Sequence, residues 1–245
     1  MGEMPAVVFA DGAAKGNPGP GGWGAIVVTP DGQVTELGGG ARHTTNNRME
    51  LAAAIEALRH LGPAAGPVAV HTDSAYVIRG IQEWIHGWRR RGWRTAAGEE
   101  VSNRDLWETL ASVAERTGTV AWHYVRGHRG IPGNERADEI ANAFAAGRQP
   151  TLYRGPLVRY QVAVLDIPDD TRLPARAPGT AAGGRRSGAH SYLSVVDGQP
   201  ARHATWAECE RRVKGRSGAR FKKAMSPAEE EAILRSWGFS ADDVR

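Results

Sequence analysis

Residues 9–24, FADGAAKGNPGPGGWG, constrain the chain more than any other stretch. An apolar run from Ala6 to Ala10 stops at a carboxylate, Asp11. A glycine-rich turn follows, then a second apolar run from Trp23 to Val28. This pattern reads as a strand, a loop and an antiparallel strand, with an acid at the mouth of the loop. An acid where a rigid strand ends is well placed to hold a metal ion. An ordinary hairpin with Asp11 as a turn former satisfies the same pattern. Gly12, Gly16, Gly19, Gly21 and Gly22 are expected to take positive φ angles or to come close to a ligand.

The rest of the chain decides between these readings. Residues 22–41 give two strands joined by a turn at Pro30-Asp31-Gly32, so the first three strands form a meander. In TTNNRMELAAAIEALRHL, Thr44 or Thr45 caps a helix, and Met49, Leu51, Ala52, Ala53, Ile55 and Leu58 supply its apolar faces. Glu50 falls in or near the first turn, where it is either a partner for the helix dipole or something more specific. Val68 to Thr72 is a short buried strand ending at Asp73, with a helix from Ser74. Asp73 is read as a helix cap, as an acid at the C-terminal end of a central strand where open α/β sheets place their chemistry, or as both. Residues 102–117 form a helix with Leu106, Leu110 and Val113 as its stripe, and Thr119 to Val125 alternates as a strand. Asn134 onward is helical to about Gly147, with Asp138 beside the stripe of Ala137, Ile140, Ala141 and Phe144. An acid beside a buried stripe is costly unless it is paired or bound to a cation. Strands alternating with helices at this rhythm indicate an α/β domain.

Four carboxylates therefore stand out: Asp11, Glu50, Asp73 and Asp138. If their elements are neighbours, the four converge, and their mutual repulsion raises their pKa values. Divalent cations with a taste for oxygen ligands, magnesium or manganese, remove that conflict.

WIHGWRRRGWRT, from Trp84 to Thr95, has a different character. Trp84, Trp88 and Trp93 alternate with Arg89, Arg90, Arg91 and Arg94, with no acid between Trp84 and Arg94. Two tryptophans four apart on a helix either pack it onto the domain or join the arginines in a nucleic-acid grip. A net charge of +4 and a pI near 9.5 suit a polyanionic partner.

The segments FADGAAKGNPGPGGWG, TTNNRMEL, HTDSAYV, WIHGWRRRGWRT and GHRGIPGNERADEIA resemble type I bacterial ribonuclease H in order and spacing, over about residues 5–146. The resemblance implies a five-stranded mixed sheet flanked by helices, with residues 1–147 as the catalytic domain. It implies an endonuclease that hydrolyses the RNA strand of RNA/DNA hybrids by two-metal-ion catalysis with magnesium, or manganese, leaving 5′-phosphate and 3′-hydroxyl ends. Asp11, Glu50, Asp73 and Asp138 would be the metal-binding acids. His128, on a loop with Gly127, Gly130 and Gly133, would assist proton movement or product departure. Asn17, Asn46 and Glu50 match positions that read RNA 2′-hydroxyls, and Thr45 one that helps hold a DNA phosphate. Trp84, Trp88, Arg89, Arg90, Arg91 and Trp93 match the family's basic handle. The chain departs from the pattern at Ala13, where serine is common, at Ala75, where many relatives carry Gln, and at the acidic end of the handle, Gly98-Glu99-Glu100.

Beyond residue 147 the composition changes. Residues 148–189 are expected to be a linker, with Leu157 to Ile167 alternating like an extra strand and Pro168 to Ala189 rich in proline, glycine and small residues. A small α+β domain is expected over residues 190–240: strands at Ser191–Val196, Ala201–Thr205 and Ala219–Ala224, a capping box at Thr205-Trp206-Ala207-Glu208, and a helix opened by Ser226-Pro227. Between Arg202 and Lys223 eight Lys or Arg face two Glu, which alone indicates no more than a solvated basic surface. Tyr192, TWAEC, VKG and ARFKK resemble the hybrid-binding (viroplasmin-like) domain attached to some ribonucleases H, where it usually precedes the nuclease. Carried over, Tyr192, Trp206 and Phe221 would lie on the nucleic-acid backbone, and Lys222 and Lys223 would contact phosphates, of the hybrid or of duplex RNA. The usual basic residues after the first strand are replaced by Val195-Val196-Asp197. The single cysteine, Cys209, excludes an intrachain disulfide and reads as a core residue. With no apolar run long enough to span a bilayer, a monomeric cytoplasmic protein that uses no membrane is expected.

Overall fold

In the computed structural model the chain divides into two units, Met1–Ala182 and Gly183–Arg245. The described residues are 4–127, 130–167, 173, 191–216, 218–224 and 227–244. Among them, no helix is long and apolar enough to cross a membrane.

The first unit is built on strands β1 (Ala6–Ala14), β2 (Gly19–Val28), β3 (Gln33–Thr44), β4 (Val68–Thr72), β5 (Val120–Tyr124) and β6 (Arg154–Pro156). They form one mixed sheet in the order β5-β4-β1-β2-β3-β6. β1 runs parallel to β4, and β4 to β5, while β1-β2, β2-β3 and β3-β6 are antiparallel. The helices are α1 (Asn46–Leu61), α2 (Ala75–Arg79), α3 (Ile85–Arg90), α4 (Arg104–Thr117) and α5 (Pro132–Ala145), with a π turn over Gly80–Trp84 between α2 and α3. The expected α/β sheet is therefore present, with a sixth strand where five were expected.

β1 is central and buried on both faces, so period-2 alternation sends its side chains to two cores. Val8 and Ala10 join Val27, Val70, Leu51, Leu58 and Leu110 under α1 and α4. Phe9 joins Ile26, Val34, Ile131 and Ala137 under α5. Two differences from the sequence reading have one cause. β1 does not stop at Asp11 but continues to Ala14, because β2 begins at Gly19 and pairs Gly12–Ala14 with Gly21–Trp23. The glycines there serve helix packing. A Cβ at Gly12 would strike the Glu50 backbone nitrogen; at Gly22 and Gly24 it would strike the Ala141 and Ala137 carbonyl oxygens. Of the five named glycines, only Gly16 sits at positive φ, 96°.

The expected strand at Leu157–Ile167 is corrected. The strand is earlier, at Arg154–Pro156, and Leu157–Arg159 is a 3-10 turn. The apolar spacing of Leu157, Tyr160, Val162, Val164 and Ile167 reflects burial against the Phe9 core, not a ladder. The proline- and glycine-rich stretch of the linker lies outside the described residues, apart from residue 173.

The second unit is a three-stranded antiparallel sheet, β8-β7-β9, from β7 (Ser191–Val196), β8 (Gln199–His203) and β9 (Arg220–Ala224). Two helices accompany it, α6 (Trp206–Val213) and α7 (Pro227–Ser236). Thr205 and Glu208 complete the capping box; Ser226 lies outside the described residues. Leu193, Ala224, Ile233, Leu234 and Val244 form the core. Cys209 is fully buried, and burial pushes its thiol pKa up, so it is packing rather than reactive.

Candidate active site

Local structure brings three acids together. Asp11 is held in the interior of β1 opposite Gly24, and its Oδ1 accepts the Gly12 N–H at 2.6 Å. Thr45 caps α1, its hydroxyl accepting from the Arg48 N–H. That start puts Glu50 in the second turn, inside the contact between α1 and β1, so a dipole partner in the first turn is not its role. Glu50 Oε1 accepts from Asn46 Nδ2 at 3.1 Å. Asp73 follows β4, the parallel neighbour of β1. Ser74, not Asp73, caps the next helix, accepting from the Val77 N–H, which leaves the Asp73 carboxylate for the site. One oxygen from each of Asp11, Glu50 and Asp73 lies within 4.8 Å of the others.

Asp138, on the second turn of α5, lines the same cavity with Asn46 and Asn142, and Asn142 Nδ2 donates to its Oδ1 at 2.7 Å. It stands outside the tight group of three. Among the described residues, no Lys or Arg lines this cavity.

The electrostatics follow from that crowding. Burial, with the charges of Asp73 and Asp138, pushes Asp11 up to about 8. Burial, with Asp11 and Asp73, pushes Glu50 well above its usual value. Glu50 Oε2 is buried without a hydrogen-bond partner among the described residues. An orphaned carboxylate oxygen beside two further acids is a donor set that a hard divalent cation completes. Beneath the site, His71 stacks between Phe9 (5.1 Å) and His123 (4.9 Å). Burial, with the charge of His123, holds its pKa down to about 4, so it is a neutral packing ring.

A sequence profile of the RNase H family matches residues 3–146. The chain belongs to the ribonuclease H family. It is 58% identical over 147 residues to the ribonuclease H of a Cyanothece species, covering 59% of this chain and 92% of that one. It is 55% identical over 150 residues to that of Thermosynechococcus vestitus, covering 60% and 92%. Among solved structures, it superposes with a TM-score of 0.54 and 33% identity on a type 1 RNase H with the type 2 active-site motif, covering 63% of this chain and 79% of that one.

Within this ribonuclease H fold the remaining expected site residues are distributed unevenly. Asn17 is exposed in the turn between β1 and β2. Thr45 is engaged as the α1 cap and Asn46 as a donor to Glu50. His128 lies outside the described residues. Asn134, which the sequence did not single out, is 2% exposed and donates from Nδ2 to Asp73 Oδ2 at 3.3 Å. Its only sequence signal is its place at the start of α5.

Of the two readings of the tryptophan-arginine stretch, its rings follow the packing one. Trp88 is 6% exposed, tilted against Trp84 at 5.6 Å and edge-on to Trp107 at 5.5 Å. Trp84 and Trp93 are half-buried against the same core. Trp88 is therefore an anchor with no face left for a base or sugar, and Trp84 and Trp93 spend most of their surface on packing. Trp107, fully buried and missed in the α4 stripe, is the ring that Trp88 packs on. The arginines lie outside: Arg89 pairs with Glu115 at 2.6 Å, Arg91 Nε donates to the Arg94 carbonyl at 3.1 Å, and Arg90 is exposed.

The second unit presents the opposite case. Tyr192, Trp206 and Phe221 form a ring cluster, with centroids 5.8 Å and 5.3 Å apart. Trp206 is 40% and Phe221 53% exposed, and Lys222 and Lys223 follow on β9, both exposed. The capping box puts Trp206 first in α6, and antiparallel pairing of β7 with β9 brings Tyr192 beside Lys223.

Proposed function

We propose that this ribonuclease H is a metal-dependent endonuclease that cuts the RNA strand of an RNA/DNA hybrid, leaving 5′-phosphate and 3′-hydroxyl ends. The observation that carries the reading is the triad of buried Asp11 and Glu50 with half-buried Asp73, their oxygens within 4.8 Å and, at Asp11 and Glu50, proton affinities well above those of ordinary carboxylates. Asp11, Glu50 and Asp73 would hold the metal, with Asp138 of the same cavity completing the set. Magnesium, with manganese as the substitute, would supply an activated water and neutralise charge at the scissile phosphate. The chain's own residues then orient the substrate. Asn46 holds Glu50 and Asn134 holds Asp73; Asn17, Asn46 and Glu50 are assigned to the 2′-hydroxyls that distinguish RNA from DNA, and Thr45 to a DNA phosphate. His128 is assigned the proton or product step.

Residues 1–147 carry the chemistry in this reading, and residues 190–240 form a hybrid-binding domain. Tyr192, Trp206 and Phe221 pack on sugars and backbone, and Lys222 and Lys223 contact phosphates. Tethering raises the effective concentration of hybrid at the nuclease. The test is incubation of labelled RNA/DNA hybrid, duplex RNA and duplex DNA with magnesium. Nicking of only the RNA strand of the hybrid is expected, with loss in Asp11→Asn while hybrid binding persists. Undiminished cleavage by Asp11→Asn sinks the assignment. A second reading, a duplex-RNA binder, gains support if the second unit retains duplex RNA as tightly as hybrid.

A further inference from the structure

The residues just past the family-matched region are tied to the helix that carries Asp138. Glu36 of β3 has a side chain only 1% exposed. Four donors converge on it. Arg136 of α5 donates from Nε to Oε1 (2.7 Å) and from Nη2 to Oε2 (3.0 Å), the Tyr160 hydroxyl donates to Oε1 (2.6 Å), and the Tyr153 N–H donates to Oε2 (2.9 Å). Arg136 also donates to Glu139 at 3.0 Å and to the Thr151 carbonyl at 3.3 Å. Burial alone would push Glu36 up, but these donors outweigh it and hold its pKa below the usual range. β6 fixes the same stretch to β3, pairing Arg154 with Thr35, and Val164 is buried in the Phe9 core.

The placement of α5 makes this clamp consequential. The helix lies on a glycine track, with Gly22 and Gly24 directly under the Ala141 and Ala137 carbonyls. Backbone on glycine gives close approach, and the Ile140 and Phe144 side chains seat over Gly38. Side-chain contacts help set the position of the helix along its axis. The Arg136 fork is one, and it is two residues from Asp138.

We propose that residues 151–164 are a strap that fixes α5, and that Tyr160, Glu36 and Arg136 are positioning residues for Asp138. The link to the metal centre rests on the reading of Asp138 as a metal acid; the strap itself does not. A charge-assisted fork between planar groups is directional, and a lysine cannot reproduce it. The hydroxyl of Tyr160 completes the shell of the carboxylate that aims the fork.

The test uses full-length Arg136→Lys and Tyr160→Phe, with Asp138→Asn as the reference. Three quantities are read: magnesium affinity by calorimetry without substrate, the KM for hybrid, and amide hydrogen exchange in α5. Magnesium affinity is expected to fall roughly tenfold in Arg136→Lys and less in Tyr160→Phe, as for partners of metal ligands. Hybrid KM stays unchanged and exchange over α5 quickens. Unchanged α5 exchange in both variants overturns the strap. Quickened exchange with unchanged magnesium affinity overturns its link to the metal centre. Unchanged magnesium affinity in Asp138→Asn sinks the reading of that acid, and exchange alone then decides the strap.

Discussion

Two regions of this chain share a pattern and have opposite fates. The stretch Trp84–Arg94 and the surface of β9 and α6 both interleave aromatic and basic residues. In the first, the rings turn inward onto Trp107 and Tyr76, and Gly80 is needed because a Cβ would meet the Trp107 indole. In the second, Trp206 and Phe221 keep about half their surface in solvent, with Lys223 on the same strand face as Phe221. An aromatic-basic pattern does not distinguish an anchor from a platform. The presence of a large buried partner ring on a neighbouring helix does.

That contrast is open to direct attack. Trp88→Ala is expected to cost about 3–5 kcal/mol of stability, the usual loss for a buried indole, whereas Trp206→Ala stays near the small change typical of surface sites. Equal losses in urea melts would erase the distinction. The acids of the first unit give the next effect. The Asp11 carboxyl, ordinarily near 3.8, rises to about 8 in the folded protein, so between these values the native state keeps a proton that the unfolded chain releases. Metal-free stability therefore falls as pH climbs from about 4 towards 8. Asp11→Asn should flatten that fall by on the order of a few kcal/mol, measured by melting in chelator at pH 5 and pH 8. An unchanged slope would contradict the crowding of the acids.

Binding offers a finer cut. Trp206→Ala should weaken hybrid binding by about 1–3 kcal/mol, the range for one stacked base, while a folded handle variant such as Trp88→Phe leaves affinity alone. Removing both Lys222 and Lys223 should lower the salt slope of binding by about one for each phosphate no longer neutralised. Arg89→Ala is expected to have the smallest effect, below about 1 kcal/mol, because its partner Glu115 is an exposed carboxylate. A larger fall in affinity there would return the handle to the role the sequence suggested.

Much of the fold is legible because its punctuation is local. Thr45 announces α1, the Pro30-Asp31-Gly32 turn separates β2 from β3, and the Thr205 capping box opens α6. Asp11, Glu50 and Asp73 are legible because each interrupts an apolar pattern. What escaped notice depends on partners distant in sequence. Asn134 matters through Asp73, 61 residues away, and Glu36 through Tyr160, 124 residues away. Trp107 looks like one more core residue until the rings of Tyr76 and Trp88 settle against it. β1 overruns Asp11 because β2 starts at Gly19 and pairs with it as far as Ala14, which no reading of β1 alone reveals.

The central claim is that Asp11 and Glu50, clustered with Asp73, hold protons that a metal displaces. Magnesium titrated calorimetrically at pH 7, in two buffers of different ionisation enthalpy, measures this directly. The account expects release of about one proton or more per protein on binding, reduced by Asp11→Asn. Binding without proton release, or release undiminished in that variant, would contradict it.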